Sequence, residues 1–290
     1  DVLCLDNYFT GTKENISDLL SSPYFEAIRH DICFPLYVEV DEIYNLACPA
    51  SPIHYQHDPV QTTKTTVHGA INMLGLAKRI DARILQASTS EVYGVSQDEV
   101  WTEETKSLIG PPTKLRWSYA ASKLIDEFLA LSEFNDKKLN PIIVRLFNII
   151  GPNQLSEFGM VVPKFIEAAL KNETIVIHGT GDQTRSFTWV GDVVNYFYLL
   201  AKNELYGEIY NIGQTEEISI KDLASLIIEK CNSSSKIIFK DHEEVYGNKF
   251  EDPMRRTPSI EKIVNATNYE PSMTIQQMIE EIIKYKKINL

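Results

Sequence analysis

Short apolar runs alternate with stretches of helical apolar spacing through the first half of this chain. Runs at 2–5, 25–31, 42–47, 83–88 and 140–147 are compact and bounded by polar or turn-forming residues. Such runs predict buried strands. Between 58 and 79, Val60, Val67, Ile71, Leu74 and Leu76 recur at intervals that suit one face of a long helix. The stretch after Trp117 has the same spacing. Strands and helices in alternation predict an α/β fold with a parallel, doubly wound sheet. Residues 95–116 are polar and read as a surface loop over the strand ends.

The texture changes after Pro152. A helix is expected over 164–170, a strand over 174–177 and a glycine-rich turn over 178–184. Asp192 begins another helix, 209–213 is a strand, and Ser219 is placed to cap a helix over 220–230. Residues 250–257 read as irregular, and an amphipathic helix closes the chain. This second half predicts a smaller α/β region beside the first.

Composition narrows the function. The 290 residues suffice for a large core, and 43% hydrophobic with 23% charged is ordinary for a globular protein. A net charge of -12 argues against nucleic acid or an anionic membrane as the main partner. A small anionic ligand held by local cations remains compatible with it. No apolar run reaches the roughly 18 residues of a membrane span. The opening Asp-Val-Leu-Cys-Leu-Asp has neither a basic leader nor a cleavage site, so a cytoplasmic protein is expected. Cys4, Cys33, Cys48 and Cys231 lack metal or redox spacing and read as reduced, packed thiols. His54 and His57 have no carboxylate or thiol to complete a ligand set, so no metal is expected.

The chemistry centres on Trp117-Ser-Tyr-Ala-Ala-Ser-Lys123. Tyr119 and Lys123, spaced i, i+4, lie one above the other on a helix. A lysine ammonium one turn away favours the phenolate, making the tyrosine a usable base for an alcohol proton. The spacing equally suits two polar residues on a wet helix face. Thr89-Ser90-Glu91 ends the run 83–88, where ligands of open parallel sheets bind, although hydroxyls there also cap turns. Asp6 ends the first run as a ribose-binding acid would, or as a strand-end turn residue, and Thr10-Gly11 turns the chain after it. The small-residue turn Cys48-Pro-Ala-Ser-Pro52 would let a flat ligand approach the backbone. Arg255 and Arg256, with Lys164 and Arg185, could clamp a pyrophosphate or could form surface ion pairs.

Taken together, Asp6-Asn-Tyr-Phe-Thr-Gly11, His30-Asp31, the run from Tyr44 through Cys48-Pro-Ala-Ser-Pro-Ile-His-Tyr-Gln-His-Asp-Pro59, Ser88-Thr-Ser-Glu-Val-Tyr-Gly94, Tyr119-x-x-x-Lys123, Arg145-Leu-Phe-Asn148 and Gln183-Thr-Arg-Ser-Phe187 resemble a known family. It is the extended short-chain dehydrogenase/reductases of the epimerase/dehydratase type, which act on nucleotide sugars. Within it the run 44–59 and the Thr-Ser-Glu triplet resemble the UDP-glucuronate decarboxylase branch. The resemblance implies a Rossmann-like NAD domain over 1–150 plus about 183–213, and a nucleotide-sugar region over 151–182 plus 214–290. It implies that Asp6, Asn7, Thr10, Gly11, Asp31, Ile32, Leu46, Ala47, Pro49 and Thr65 contact NAD, together with Tyr119 and Lys123. Tyr119 would take the C4 hydroxyl proton while Thr89 holds the C4 oxygen. Ser90, Glu91 and Arg185 would handle the sugar carboxylate. Asn148, Val162, Lys164, Val176, Arg185 and Arg256 would face the UDP. A homodimer through the helices around 58–80 and 117–135 is also implied.

Two departures from the decarboxylase pattern set further expectations. The segment around Tyr119, and Glu251-Asp-Pro-Met-Arg-Arg256, resemble epimerases, so a UDP-sugar 4-epimerase is the second reading. The family's first strand and its glycine-rich turn precede the position of residue 1. A gap in the sheet and weak or absent NAD binding are therefore expected, as for a fragment or a non-catalytic relative.

Overall fold

The computed structural model describes residues 1–136, 138–240 and 255–288. Its first elements are the strands β1 (Val2–Asp6), β2 (Phe25–Arg29) and β3 (Glu42–Asn45). Helix α1 (Pro52–His57) follows a Ser51 cap, whose hydroxyl accepts from the His54 amide. The expected helix over 58–79 is there, capped by Asp58, but it is not uniform. It runs as α2 (Pro59–Thr63), a π turn at Lys64–His68, and α3 (Gly69–Ile80). Five β-branched residues among six, Thr62, Thr63, Thr65, Thr66 and Val67, crowd that turn, and the Thr66 hydroxyl donates to the Thr62 carbonyl.

Strand β4 (Arg83–Thr89) leads into a short 3-10 turn, and helix α4 (Trp117–Asn135) precedes strand β5 (Pro141–Leu146). The remaining strands are β6 (Ile149–Ile150), β7 (Ile175–His178), β8 (Thr184–Ser186), β9 (Thr188–Trp189), β10 (Glu208–Ile212), β11 (Glu217–Ser219) and β12 (Ile237–Lys240). Helices α5 (Val161–Leu170), α6 (Val190–Lys202) and α7 (Ile220–Cys231) lie among them. Two helices, Glu261–Thr267 and Ile275–Ile288, close the described chain. Ser219 caps α7 as its spacing implies.

The central sheet has the order β10-β5-β4-β3, and β3 pairs with β4 in parallel, Glu42 opposite Arg83. β1 and β2 pair in parallel as a separate sheet. The break between β1 and β3 falls where the sequence predicts one. Smaller pairs complete the α/β fold: β12 with β7 and β6 with β9, both parallel, and β11 with β8, antiparallel.

Packing divides the chain into two compact units, residues 1–88, 115–143 and 206–208, and residues 89–114, 144–205 and 209–290. The expected functional division cut the chain near 150 instead. The packing boundary falls within β4, β5 and β10, because successive residues of those strands belong to different clusters. In the first unit Ile84, Leu85 and Ile143 are buried in the strands, and Met73, Leu74 and Leu76 in α3. In the second, Val162, Phe165 and Ile166 of α5, Leu223 and Ile227 of α7, and Met278, Ile279 and Ile282 of the last helix enclose β7 residues Ile175 and Ile177.

Two readings of the chain need correction. Residues 95–116 are not simply a surface loop: Trp101 is buried, its amide donates to Thr257 O (2.9 Å) and its carbonyl accepts from Ser259 N (2.8 Å). A tryptophan buries too much apolar area to stay on a loop surface when a core lies within reach. The segment is pinned also at Gly94, whose φ of 64° and close approach to the Leu108 carbonyl leave no room for a side chain. The four cysteines are free thiols, but each is only partly buried. No helix among the described residues is long and apolar enough to cross a membrane.

The second unit's core sets a stability prediction. Ile279→Ala removes a fully buried side chain from the cluster and should cost about 3 kcal/mol. The exposed neighbour Gln276→Ala should cost under about 0.5 kcal/mol. Denaturant midpoints of the two variants against the parent check this.

Candidate active site

The first unit holds the Tyr119–Lys123 pair. Both residues are buried, at 5% and 3% exposure. The Tyr119 ring stacks on Tyr55 of α1, centroids 5.0 Å apart and planes 4° from parallel. Proline at the first position of α1 and the Ser51 cap fix where that short helix starts, and hence where Tyr55 sits. The Lys123 ammonium donates to the Ala87 carbonyl (2.9 Å) and lies 3.4 Å from Asp126 Oδ2. Asp126 is fully buried and also faces Gln86 Nε2 (3.5 Å), while Gln86 Oε1 accepts from Asn45 Nδ2 (2.8 Å). Burial pushes the Asp126 carboxyl up to about 7, against the pull of Lys123 and with the push of Glu127. Glu127, one residue on, accepts from the Ser88 hydroxyl (2.5 Å). The wet-face alternative for Tyr119 and Lys123 is therefore excluded.

The ends of β1 and β2 bring two acids together. Parallel pairing sets Asp6 opposite Arg29, so Asp6-Asn7 and His30-Asp31 leave the sheet side by side. Asp6 Oδ1 accepts from the Tyr8 amide (2.7 Å), and Asn7 Nδ2 donates to Asp31 Oδ2 (3.2 Å). Burial raises the Asp31 pKa, but bonds from the Cys33 amide and Asn7 outweigh it and hold the carboxyl below its ordinary range. Thr10-Gly11 returns toward Asp6: a Cβ on Gly11 would stand 3.2 Å from Asp6 Oδ2. Ile32 packs against Gly69, and Cys33 Sγ lies 3.7 Å from Thr65 Oγ1. Past the end of β3, Leu46 and Ala47 are exposed and Pro49 is buried. Two carboxylates side by side at strand ends suit the hydroxyls of a dinucleotide's ribose.

The second unit holds the remaining candidates. Thr89 Oγ1 accepts from the Glu91 amide (3.3 Å), and Ser90 is buried. Glu91 forms a short ion pair with Arg256, which is 8% exposed. Arg185 is buried in β8 and donates to the Thr184 carbonyl (2.6 Å). Asn148 has a left-handed φ of 35° and gives its amide to Ser186 O (2.9 Å). Lys164 is exposed, Val176 is half-buried, and the Val162 side chain lies in the hydrophobic core. The expected double-arginine clamp takes another form. Arg255 binds both oxygens of Glu217 (2.8 and 2.9 Å), whereas Arg256 pairs with Glu91. The two adjacent arginines thus serve two different carboxylates. The Arg255 bond, with help from Thr257 and Thr184, holds the Glu217 carboxyl below its ordinary range. Residues 250–254 of the expected irregular stretch lie outside the described residues.

The sequence did not single out several participants. Tyr55 lies just beyond the turn read over 48–52 and was given no role of its own. Asp126 and Glu127 stand three and four residues after Lys123, on its side of the helix, and that spacing was the available signal. In the second unit, Arg145 Nη1 donates to Tyr93 Oη (2.9 Å) and to Glu103 O (2.9 Å), while Tyr93 donates to Asn211 Oδ1 (2.7 Å). Burial pushes Tyr93 up to about 12, with Arg145 and Asn211 opposing. These partners are far apart in sequence, so spacing could not reveal them.

Comparison with known proteins places this arrangement. The family described as GDP-mannose 4,6 dehydratase matches residues 36–282. UDP-glucuronic acid decarboxylase 1 of Arabidopsis thaliana is 38% identical over 283 residues, covering 98% of this chain and 63% of that relative. The chain thus spans under two thirds of that relative's length. UDP-glucuronic acid decarboxylase 6 of the same plant is 40% identical, covering 96% of this chain and 78% of its own length. Among solved structures, the UDP-glucuronic acid 4-epimerase from Bacillus cereus, in complex with UDP-glucuronic acid and NAD, superposes with a TM-score of 0.86 at 24% identity, covering 100% of this chain and 91% of that one. The family match over most of the chain, and relatives near 40% identity across nearly all of it, mean that this chain belongs to the GDP-mannose 4,6 dehydratase family of extended short-chain dehydrogenase/reductases.

Proposed function

We propose that this chain carries out NAD-dependent decarboxylation of UDP-glucuronate to UDP-xylose. The observation that carries the reading is the relatives' shared name, UDP-glucuronic acid decarboxylase, at 38% to 40% identity across nearly the whole chain. The buried Tyr119–Lys123 pair supports it. NAD, when bound, would supply a reversible hydride acceptor for C4 of the sugar, so that no net oxidation results. Asp6, Asn7 and Asp31 would hold its adenosine half, with Thr10, Gly11, Ile32, Leu46, Ala47, Pro49 and Thr65 around it. Tyr119 takes the C4 hydroxyl proton, and the nearby Lys123 charge favours the phenolate this requires. Thr89 holds the C4 oxygen. The C4 ketone makes the sugar a β-keto acid, so the carboxylate leaves as carbon dioxide and the electron pair spreads onto the C4 oxygen. Ser90, Glu91 and Arg185 orient that carboxylate and steer a proton to C5. Asn148, Lys164, Val176 and Arg256 would accommodate the UDP, while the buried Val162 side chain supports them from the core.

A second reading, UDP-sugar 4-epimerase, rests on two resemblances: Trp117-Ser-Tyr-Ala-Ala-Ser-Lys123 around the base and the sequence Glu251-Asp-Pro-Met-Arg-Arg256 both resemble epimerases. We also infer a homodimer through α2, α3 and α4, supported by exposed apolar residues there: Val60, Ile71, Ile125 and Phe128.

Incubation with UDP-glucuronate and NAD should release carbon dioxide and UDP-xylose, followed by anion-exchange chromatography and gas trapping. Tyr119→Phe should lower kcat by roughly 10²- to 10⁴-fold. UDP-galacturonate without carbon dioxide would establish the epimerase instead, and no product from a folded protein would remove both enzyme readings. In sedimentation analysis the parent should run as a dimer and Phe128→Glu as a monomer.

A further inference from the structure

Lys123 is held from two sides. One hydrogen bond goes to the Ala87 carbonyl of β4, and the other contact, at 3.4 Å, is Asp126 Oδ2 one turn along α4. Asp126 has no exposed surface, and its Oδ1 has no hydrogen-bond partner among the described residues. Its Oδ2 receives only long contacts, from Lys123 and from Gln86 Nε2. A carboxylate so poorly satisfied is costly to ionise in a buried site. The carboxyl is thus balanced between a neutral form, favoured by burial, and an anion favoured by the ammonium. Gln86 is fixed in turn by Asn45 at the end of β3, so the anchor is tied to the paired strands β3 and β4.

We propose that Asp126 is a positioning residue for Lys123, and that its ionised carboxylate is a releasable second anchor for the ammonium. When Asp126 is ionised, the ammonium is shared between the carboxylate and the Ala87 carbonyl. When Asp126 gains a proton, the charge attraction goes and the Ala87 carbonyl holds the ammonium alone. The ionisable groups facing Asp126 are Lys123 and Glu127 on α4 and Cys48 after β3. The adjacent part of β4 contributes Gln86 and the Ala87 carbonyl, which do not titrate. Burial lifts the carboxyl to about 7, Lys123 draws it down and Glu127 lifts it further, so the exchange falls in the physiological range. The consequence for catalysis rests on the function proposed above: whatever Lys123 does for Tyr119 acquires a second pH dependence, set by Asp126.

The test has an arm that needs no activity. In full-length protein labelled with [4-13C]aspartate, the carboxyl signal absent from Asp126→Asn should titrate near pH 7. In Lys123→Gln, which keeps a donor for the Ala87 carbonyl but removes the charge, its midpoint should rise by about one pH unit or more. A signal that titrates with the exposed carboxylates near pH 4, or that does not move in Lys123→Gln, overturns the proposal; the first of these is decided in the parent protein even if the lysine variant does not fold. In the second arm, kcat/KM for UDP-glucuronate should inflect near pH 7 in the parent and lose that inflection in Asp126→Asn. A purely structural role would lower the whole profile without removing the inflection, and that result also overturns the proposal. Should UDP-glucuronate not be turned over, the function reading falls while the carboxyl titration still decides this inference.

Discussion

A buried ammonium is the constraint on which the first unit's organisation depends. Removing a lysine charge from water costs several kcal/mol unless partners replace its hydration. Lys123 meets that cost with a strand carbonyl and a helix carboxylate. Each partner brings its own requirement. The Ala87 carbonyl faces the ammonium because β4 runs beside α4 to the end of its strand. Asp126 is itself buried and needs donors, which draws in Gln86 and then Asn45. One functional charge thus fixes polar residues on two strands and one helix, and those positions cannot be repacked as apolar core without stranding the lysine.

The fold was legible because its signals are local. Strand runs at 2–5, 42–47, 83–88 and 140–147 appear as strands within a residue or two, since each is an apolar segment with a polar stop. The alternation with helices dictated parallel pairing, which β1–β2 and β3–β4 adopt. The π turn at Lys64–His68 was not legible, because it depends on how a threonine-rich stretch packs, not on its apolar period.

The site was legible only in part, for a physical reason. Tyr119, Lys123, Asp6 and Asp31 announce themselves by residue type at a recognisable place: one helical turn apart, or at a strand end. Asn45, Gln86 and Asp126 are ordinary residues until folding sets them against a charge. The arginine pair shows the same limit. Arg255 and Arg256 are adjacent, and their sequence left a shared anion and separate ion pairs equally open; folding gives each its own carboxylate. Sequence spacing predicts which side chains share a face within an element; it is silent on what the facing element contributes.

Helix α4 illustrates how these demands shape a sequence. Its buried residues are Tyr119, Ser122, Lys123, Asp126 and Glu127 together with Trp117, Ala120 and Ala130, while Ile125 and Phe128 are exposed. A surface helix normally keeps its apolar stripe inward and its charges outward, so this is a partial inversion. The inversion follows if the inner face serves chemistry and the outer face is not meant for water. An apolar face left to solvent gives nothing to a monomer's stability and invites association. A polar inner face gives up hydrophobic burial and must be repaid by exact pairing of its groups. The two departures point the same way: α4 holds paired polar groups inside and carries large apolar side chains outside, at some cost to plain amphipathic packing.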